Sequence, residues 1–186
     1  MFEPYRIANT RLKNRIVAAP VATYSATDGM VGDAELARLA GAALGGAGLV
    51  MTGMTAVSAA GRVTPACPGL YATEQIFAYR RITELVHNNT TAAIGVQLNH
   101  SGRKGATTVP TVGSLGTSLG EKGWETVGPS ALAFGDLPAP RELDASELEA
   151  SPKTSPGPLG LPTPPDSMFS KSRPVTDSCS RPSCRR

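Results

Sequence analysis

Between Ile94 and Gly105 the chain reads Ile-Gly-Val-Gln-Leu-Asn-His-Ser-Gly-Arg-Lys-Gly, so two amides (Gln97 and Asn99), an imidazole and two cations crowd one short stretch. Gln97 can donate and accept hydrogen bonds at once, and Arg103 and Lys104 add fixed positive charge. Such a set suits a flat heteroaromatic ligand with carbonyl groups and a phosphate. The alternation of Ile94, Val96 and Leu98 predicts a buried strand leading into it. The polar groups would then stand at the strand's carboxyl end, where parallel α/β folds hold their ligands. Taken alone, the window reads more simply as a strand followed by a solvated basic turn. The balance is changed by the elements around it.

Residues 1–14 form a leader with turn signals at Asn9-Thr10 and Lys13-Asn14. The apolar run Arg15 to Val21 ends in proline and valine, which suits a short buried strand whose last residues lie exposed. Asp33 is the expected N-cap of a helix, with Leu36, Leu39, Ala43 and Leu44 at helical spacing and Gly45-Gly46 as its stop. Gly48 to Thr52 gives a second strand, and Ala47-Gly48 is expected to leave room for close helix–strand packing. Thr73 is expected to cap a second helix with an apolar face of Ile76, Tyr79, Ile82, Leu85 and Val86. His87 falls in its last turn as an exposed residue favourable to the helix dipole. Ala92 to Leu98 is the third strand.

Strand–helix alternation of this kind predicts a parallel sheet. A doubly wound nucleotide-binding sheet would show Gly-x-Gly-x-x-Gly at its first turn. Here the first strand runs into Ala19-Pro20-Val21-Ala22 instead, and Gly45-Gly46-Ala47-Gly48 precedes a strand. A (β/α)₈ barrel architecture is the better reading.

Composition bounds the function. The 186 residues are 40% hydrophobic and 18% charged, as in soluble globular proteins. No run approaches the ~20 apolar residues of a membrane span, and Met-Phe-Glu-Pro-Tyr-Arg lacks the plan of a secretion signal. A cytoplasmic location and no membrane partner are expected. The three cysteines make neither a disulfide framework nor a metal-ligand pattern. The net charge of +3 is unevenly spread: residues 151–186 hold six Lys/Arg against two Asp/Glu, leaving residues 1–150 at −1. The same segment carries eight of the sixteen prolines and two of the three cysteines. A boundary therefore falls near Ala150, between a folded part, 1–150, and a Pro/Ser/Arg-rich tail, 151–186, expected to be disordered.

Leu12-Lys13-Asn14-Arg15-Ile16-Val17-Ala18-Ala19-Pro20 resembles the first-strand motif of the old yellow enzyme family, the FMN-dependent ene-reductases and NADH:flavin oxidoreductases. Gly46-Ala47-Gly48-Leu49-Val50, with Thr55-Ala56-Val57 and Gly61-Arg62, resembles its second strand and following loop. Gly95-Val96-Gln97-Leu98 and His100-Ser101-Gly102-Arg103-Lys104 resemble its third. Trp124, Gly128-Pro129-Ser130-Ala131 and Pro140-Arg141-Glu142-Leu143 resemble the long excursion after that strand and the lead-in to the next helix. Pro68-Gly69-Leu70-Tyr71 is similar to members associated with aromatic acyl-CoA oxidation.

The resemblance implies that FMN lies across the carboxyl-end mouth of a (β/α)₈ barrel and carries hydride from NADH or NADPH to an activated alkene or enoyl-type small molecule. It assigns Ala19, Pro20 and Val21 to the segment lining the isoalloxazine, and Gln97 to the pyrimidine edge of the ring. Gly53 and Met54 stand where the second strand approaches the flavin, and Tyr24 where some members place an active-site tyrosine. Ala22 departs from the Thr or Cys that many members carry to tune the flavin's potential. His100 is read as structural. The intact family member is a possible homo-oligomer.

A complete barrel takes about 250 residues, and the resemblance here covers about three βα units and the start of a fourth. The family's substrate-binding His/Asn pair, at the end of the fourth strand, is absent from the sequence as written. The tail offers a reason. Read one base out of frame, with each codon's third base joined to the next codon's first two, Ser151 onward can encode an amphipathic helix. Pro174 to Arg186 can then give Gly-His-Gly-Leu-Leu-Leu-Ser-x-Phe-Leu-Ser-Pro, which resembles the family's fourth-strand motif. Two functions of different class follow. One is an FMN oxidoreductase of old yellow enzyme type, truncated. The other is an inactive remnant or half-barrel whose basic tail makes weak anionic contacts, without specific nucleic-acid binding because no aromatic platform interleaves with its arginines.

Overall fold

Leu39 and Ala43, four apart, and Tyr79, Ile82 and Val86, at three- and four-residue steps, are all buried, and these two stripes organise the molecule. The computed structural model describes residues 1–111, 114 and 116–150; the disorder and frame change expected of residues 151–186 fall outside them. A hairpin comes first, β1 (Tyr5–Ile7) and β2 (Thr10–Leu12), paired antiparallel with Leu12 buried. There follow β3 (Val17–Ala18), α1 (Asp33–Leu44), β4 (Leu49–Ala56), α2 (Thr73–Asn89) and β5 (Ala93–Asn99). The last three strands form one parallel sheet in the order β3-β4-β5. A long excursion returns through β6 (Val127–Gly128) and β7 (Arg141–Glu142), a second parallel pair, to α3 (Ala145–Ala150).

This is the expected βα alternation: a barrel-type parallel sheet, open among the described residues. The core lies between the sheet and the two long helices. Val50 and Ile94 from the sheet meet Leu39 and Ala43 of α1 and Tyr79, Ile82 and Val86 of α2. Their opposite face carries Met51, Met54, Gly95 and Gln97, by the register Met51↔Gly95 and Met54↔Gln97.

Several local expectations are corrected. The N-cap of α1 is Gly32, with Asp33 already in the first turn and no side-chain cap bond. The N-cap of α2 is Ala72; Thr73 is helical, and the capping is done by Gln75, whose Oε1 accepts the N–H groups of Tyr71 (2.7 Å) and Ala72 (3.0 Å). Gly48 packs against the chain at Asn14 and not against a helix: a Cβ there would lie 2.5 Å from the Asn14 carbonyl oxygen. His87 is half-buried rather than exposed. β3 keeps only two residues of the predicted run. β4 continues four residues beyond Thr52, to Ala56.

Candidate active site

The extension of β4 contains the feature that shapes the site. Between Met51 and Met54 the strand takes three steps while β5 takes two, from Gly95 to Gln97, so β4 holds one extra residue. On a regular strand, residues three apart point to opposite faces. Here Thr52 Oγ1 and Thr55 Oγ1 touch at 3.2 Å, and Thr55 Oγ1 reaches Tyr79 Oη at 3.0 Å on the helix side. Met51 and Met54 therefore share the other face. A bulge is the usual device by which a strand re-aims side chains beside a functional site.

Buried groups off the regular ladder need partners, and the bulge supplies them. The Gln97 N–H donates to Thr52 Oγ1 (3.1 Å), and Gly53 O accepts the hydroxyls of Thr52 (3.0 Å) and Thr55 (3.1 Å). The Gly53 N–H donates to Glu35 Oε1 (2.9 Å) on α1, and Arg38 Nη2 donates to Met51 O (2.7 Å). Glu35 and Arg38 are themselves joined bidentately, at 2.8 and 3.0 Å. Gly53 must be glycine because a Cβ would lie 2.4 Å from Val21 O; the segment after β3 runs directly over it.

The sequence-predicted residues fall around this bulge. Ala19, Pro20 and Val21 are exposed beyond the end of β3, with Val21 against Gly53. Met54 is half-buried and stands opposite Gln97 in register, while the Gln97 side chain is exposed and makes no hydrogen bond among the described residues. Exposed apolar surface beside an unengaged amide, at the carboxyl ends of parallel strands, is a fit for one side of a flat ring with a polar edge.

Tyr24 lies in the loop after β3, half-buried, with φ of +47°, a strained conformation for a residue with a Cβ. Burial pushes its hydroxyl pKa up, and the nearby Cys67 adds to the effect, so it stays protonated at neutral pH. This loop is pinned to the turn around Cys67 by Ala26 N–H donating to Ala66 O (3.1 Å).

His100 is engaged structurally. Its Nδ1 accepts the Gly102 N–H (3.1 Å) and its ring packs on Gly61, where a Cβ would lie 2.8 Å away. Desolvation of that packed side lowers its pKa, which keeps the imidazole neutral with Nε2 carrying the proton. The positive charge read from the sequence is also largely committed. Arg103 donates to Leu132 O (2.8 Å) and Ser130 Oγ (3.0 Å), and the Lys104 ammonium lies 4.2 Å from the Phe134 ring centre. Both hold the excursion in place, as does Trp124, whose Nε1 donates to Ala60 O (3.0 Å) under the Arg62 guanidinium. A shallow cavity of about 470 Å³ lies between Trp124, Pro138 and Arg141, and none of the bulge residues lines it.

Sequence reading missed Glu35, Arg38 and Thr52. A signal existed: Glu35 precedes Leu39 and Ala43 at four-residue steps on the buried stripe, and a carboxylate there needs a partner inside.

The NADH:flavin oxidoreductase / NADH oxidase family matches residues 1–132. The chain is 36% identical over 154 residues to an NADH:flavin oxidoreductase of Gibberella zeae, covering 80% of this chain and 37% of that one. It is 34% identical over 152 residues to an NADPH dehydrogenase of Listeria welshimeri, covering 80% and 40% respectively. Among solved structures, morphinone reductase superposes with a TM-score of 0.67 at 23% identity, over 82% of this chain and 42% of that one. A complex of 2-naphthoyl-CoA reductase with 2-naphthoyl-CoA gives 0.66 at 23% identity, over 82% and 24%. At that identity the two structures speak to fold alone, and the fold is that of barrel proteins. The chain spans about two fifths of the length of the curated relatives it matches. It belongs to the NADH:flavin oxidoreductase / NADH oxidase family.

Proposed function

We propose that residues 1–150 carry one side of an FMN site of old yellow enzyme type, from a protein that oxidises NADH or NADPH and reduces an activated alkene or enoyl-type small molecule. The observation that carries this reading is the placement of Val21, Met54 and the unengaged Gln97 amide around one bulge on the open face of the sheet. FMN, when bound, supplies the two-electron carrier between nicotinamide and alkene. Ala19, Pro20 and Val21 present backbone and apolar surface to the ring, Met54 lies beside them, and Gln97 meets the polar pyrimidine edge, where a donor favours the negative charge of the reduced ring. Tyr24, which keeps its proton at neutral pH, is the candidate proton donor.

The test is titration of the 186-residue chain with FMN and with lumiflavin, which has the ring but no phosphate, following flavin fluorescence. Saturable quenching by both, at similar affinity, is expected from a site that holds the ring side. The usual phosphate site of such barrels is built after strands 7–8, and three strands of core sheet are described here. Absence of saturable binding of either flavin would refute the reading. A second reading, an inactive half-barrel, is favoured by the apolar residues exposed along the open sheet, Val17 at 46% and Leu98 at 45%. A cytoplasmic location remains part of the proposal; no helix among the described residues is long and apolar enough to cross a membrane.

A further inference from the structure

We infer that the Glu35–Arg38 pair of α1 is the positioning device of the flavin-facing ledge: it holds the bulge in β4 that sets Met54 and Gln97 side by side beneath the Val21 segment. The inference rests on the flavin reading above. It deepens that reading by naming residues that never touch the ring.

The geometry converges on the pair. Glu35, 3% exposed, spends one oxygen on both Arg38 Nη2 (2.8 Å) and the Gly53 N–H (2.9 Å), and the other on Arg38 Nε (3.0 Å). Arg38 then passes the constraint to Met51 O (2.7 Å) and approaches Ala19 O at 3.5 Å. One ion pair on the helix thus fixes backbone groups on both sides of the extra residue in β4. It also reaches the start of the Ala19–Val21 segment. From the bulge the constraint crosses to β5 through Thr52 Oγ1, which holds the Gln97 N–H.

A buried ion pair is a poor way to gain stability, because desolvation offsets much of its attraction, and apolar residues of similar size would pack α1 on the sheet as well. Apolar residues could not accept the Gly53 N–H. Without that acceptor the Gly53 N–H is left unpaired, and the extra residue keeps only the threonine hydroxyl contacts across the bulge. A slip of the register by one residue would then turn Gln97 or Met54 to the helix side.

The experiment uses the full chain and lumiflavin as probe, with amide hydrogen exchange followed by NMR in the absence of flavin. Glu35→Ala is expected to raise the lumiflavin Kd about tenfold and to speed exchange of the Gly53 and Gln97 amides by about as much. Glu35→Gln keeps an acceptor for Gly53 and is expected to stay within about threefold of wild type. The losses in Glu35→Ala and Gln97→Ala should be less than additive when the two are combined, since part of the carboxylate's effect acts through that amide. Leu39→Ala loosens α1 without touching the bulge; it should lower the melting temperature and leave the Kd unchanged. Should Glu35→Ala fail to fold, Glu35→Met, an apolar residue of similar size that cannot accept the Gly53 N–H, carries the same expectation. Wild-type affinity in Glu35→Ala, or an equal loss in Leu39→Ala, overturns the inference while leaving the flavin site standing. Failure of the wild-type chain to bind lumiflavin overturns the flavin reading itself, and is recognised because it precedes any substitution.

Discussion

At Gln97 the backbone and the side chain do separate things. Its N–H is held by Thr52 Oγ1 at 3.1 Å, so the strand is fixed, while its side-chain amide stays exposed, with no hydrogen bond among the described residues. Gln97→Ala should therefore leave the melting temperature nearly unchanged and weaken flavin binding. A hydrogen bond to a charged or polarised group is worth about 1.5–3 kcal/mol, or about tenfold to a hundredfold in Kd. Unchanged affinity and unchanged flavin potential would remove Gln97 from the site. His100 offers a pH test. Its folded pKa lies below the ordinary 6.5, because the packed side of the ring disfavours charge. The unfolded chain then binds the proton more readily. The contribution of His100 to stability is accordingly full above 6.5 and is lost as pH falls through the lowered folded value. Denaturant titrations between pH 8 and 5 should show this loss in wild type and lack it in His100→Asn, which can still accept the Gly102 N–H; identical slopes would contradict the assignment.

Elements were legible in the sequence where burial follows period. The stripe Leu39–Ala43 and the stripe Tyr79–Ile82–Val86 are buried as their spacing requires, and both helices stand where they were expected. Leu44 continued the pattern on paper, yet it is 62% exposed: it is the last residue of α1 and stands one step past Ala43, off the buried stripe. Polar residues with structural tasks were harder to read. Thr73 and Asp33 looked like caps by type, but Gln75 performs the capping of α2 from inside the helix, 1% exposed. Glu35 sits in the first turn of α1, where a carboxylate ordinarily serves the helix dipole, and nothing local announces that β4 will bring a bulge to meet it. The bulge itself depends on tertiary partners on α1 and α2, so no window of β4 could reveal it. Gln75→Ala tests the cap: it strips an acceptor from two N–H groups at once, and about 1–3 kcal/mol of stability should go with it. Thermal unfolding checks this. A loss below about 0.5 kcal/mol, the scale of an ordinary surface change, would mean that water replaces Gln75 without cost.

For the molecule as a whole, the open sheet decides what chemistry is available. Three parallel strands present a ledge carrying Met54 and Gln97, and the excursion from Gly102 to Glu142 is tied back by Arg103, Trp124 and the β6–β7 pair. The net charge of −1 over residues 1–150 and +4 over 151–186 marks two different compositions in one chain. Catalysis by a flavin of this type needs three things together at the mouth. The cofactor must be clamped, the substrate's carbonyl must be held by donors, and a proton must reach the other alkene carbon. Positioning of this kind can supply about 7–11 kcal/mol of barrier reduction when complete. On the proposed reading the described residues offer one side of the ring site and Tyr24, and residues 151–186 contain no histidine to stand for a fourth-strand donor. We therefore expect the 186-residue chain to oxidise NADH or NADPH, with an enone and added FMN, no faster than free flavin does. A version given a Gly-His-Gly fourth strand after Ala150, as the shifted reading frame can provide, should gain saturable turnover once the following strands are supplied. Steady-state assays of both, beside a free-flavin control, decide the matter. Saturable turnover by the 186-residue chain itself would overturn this expectation. It would mean that a second copy or residues 151–186 complete the site.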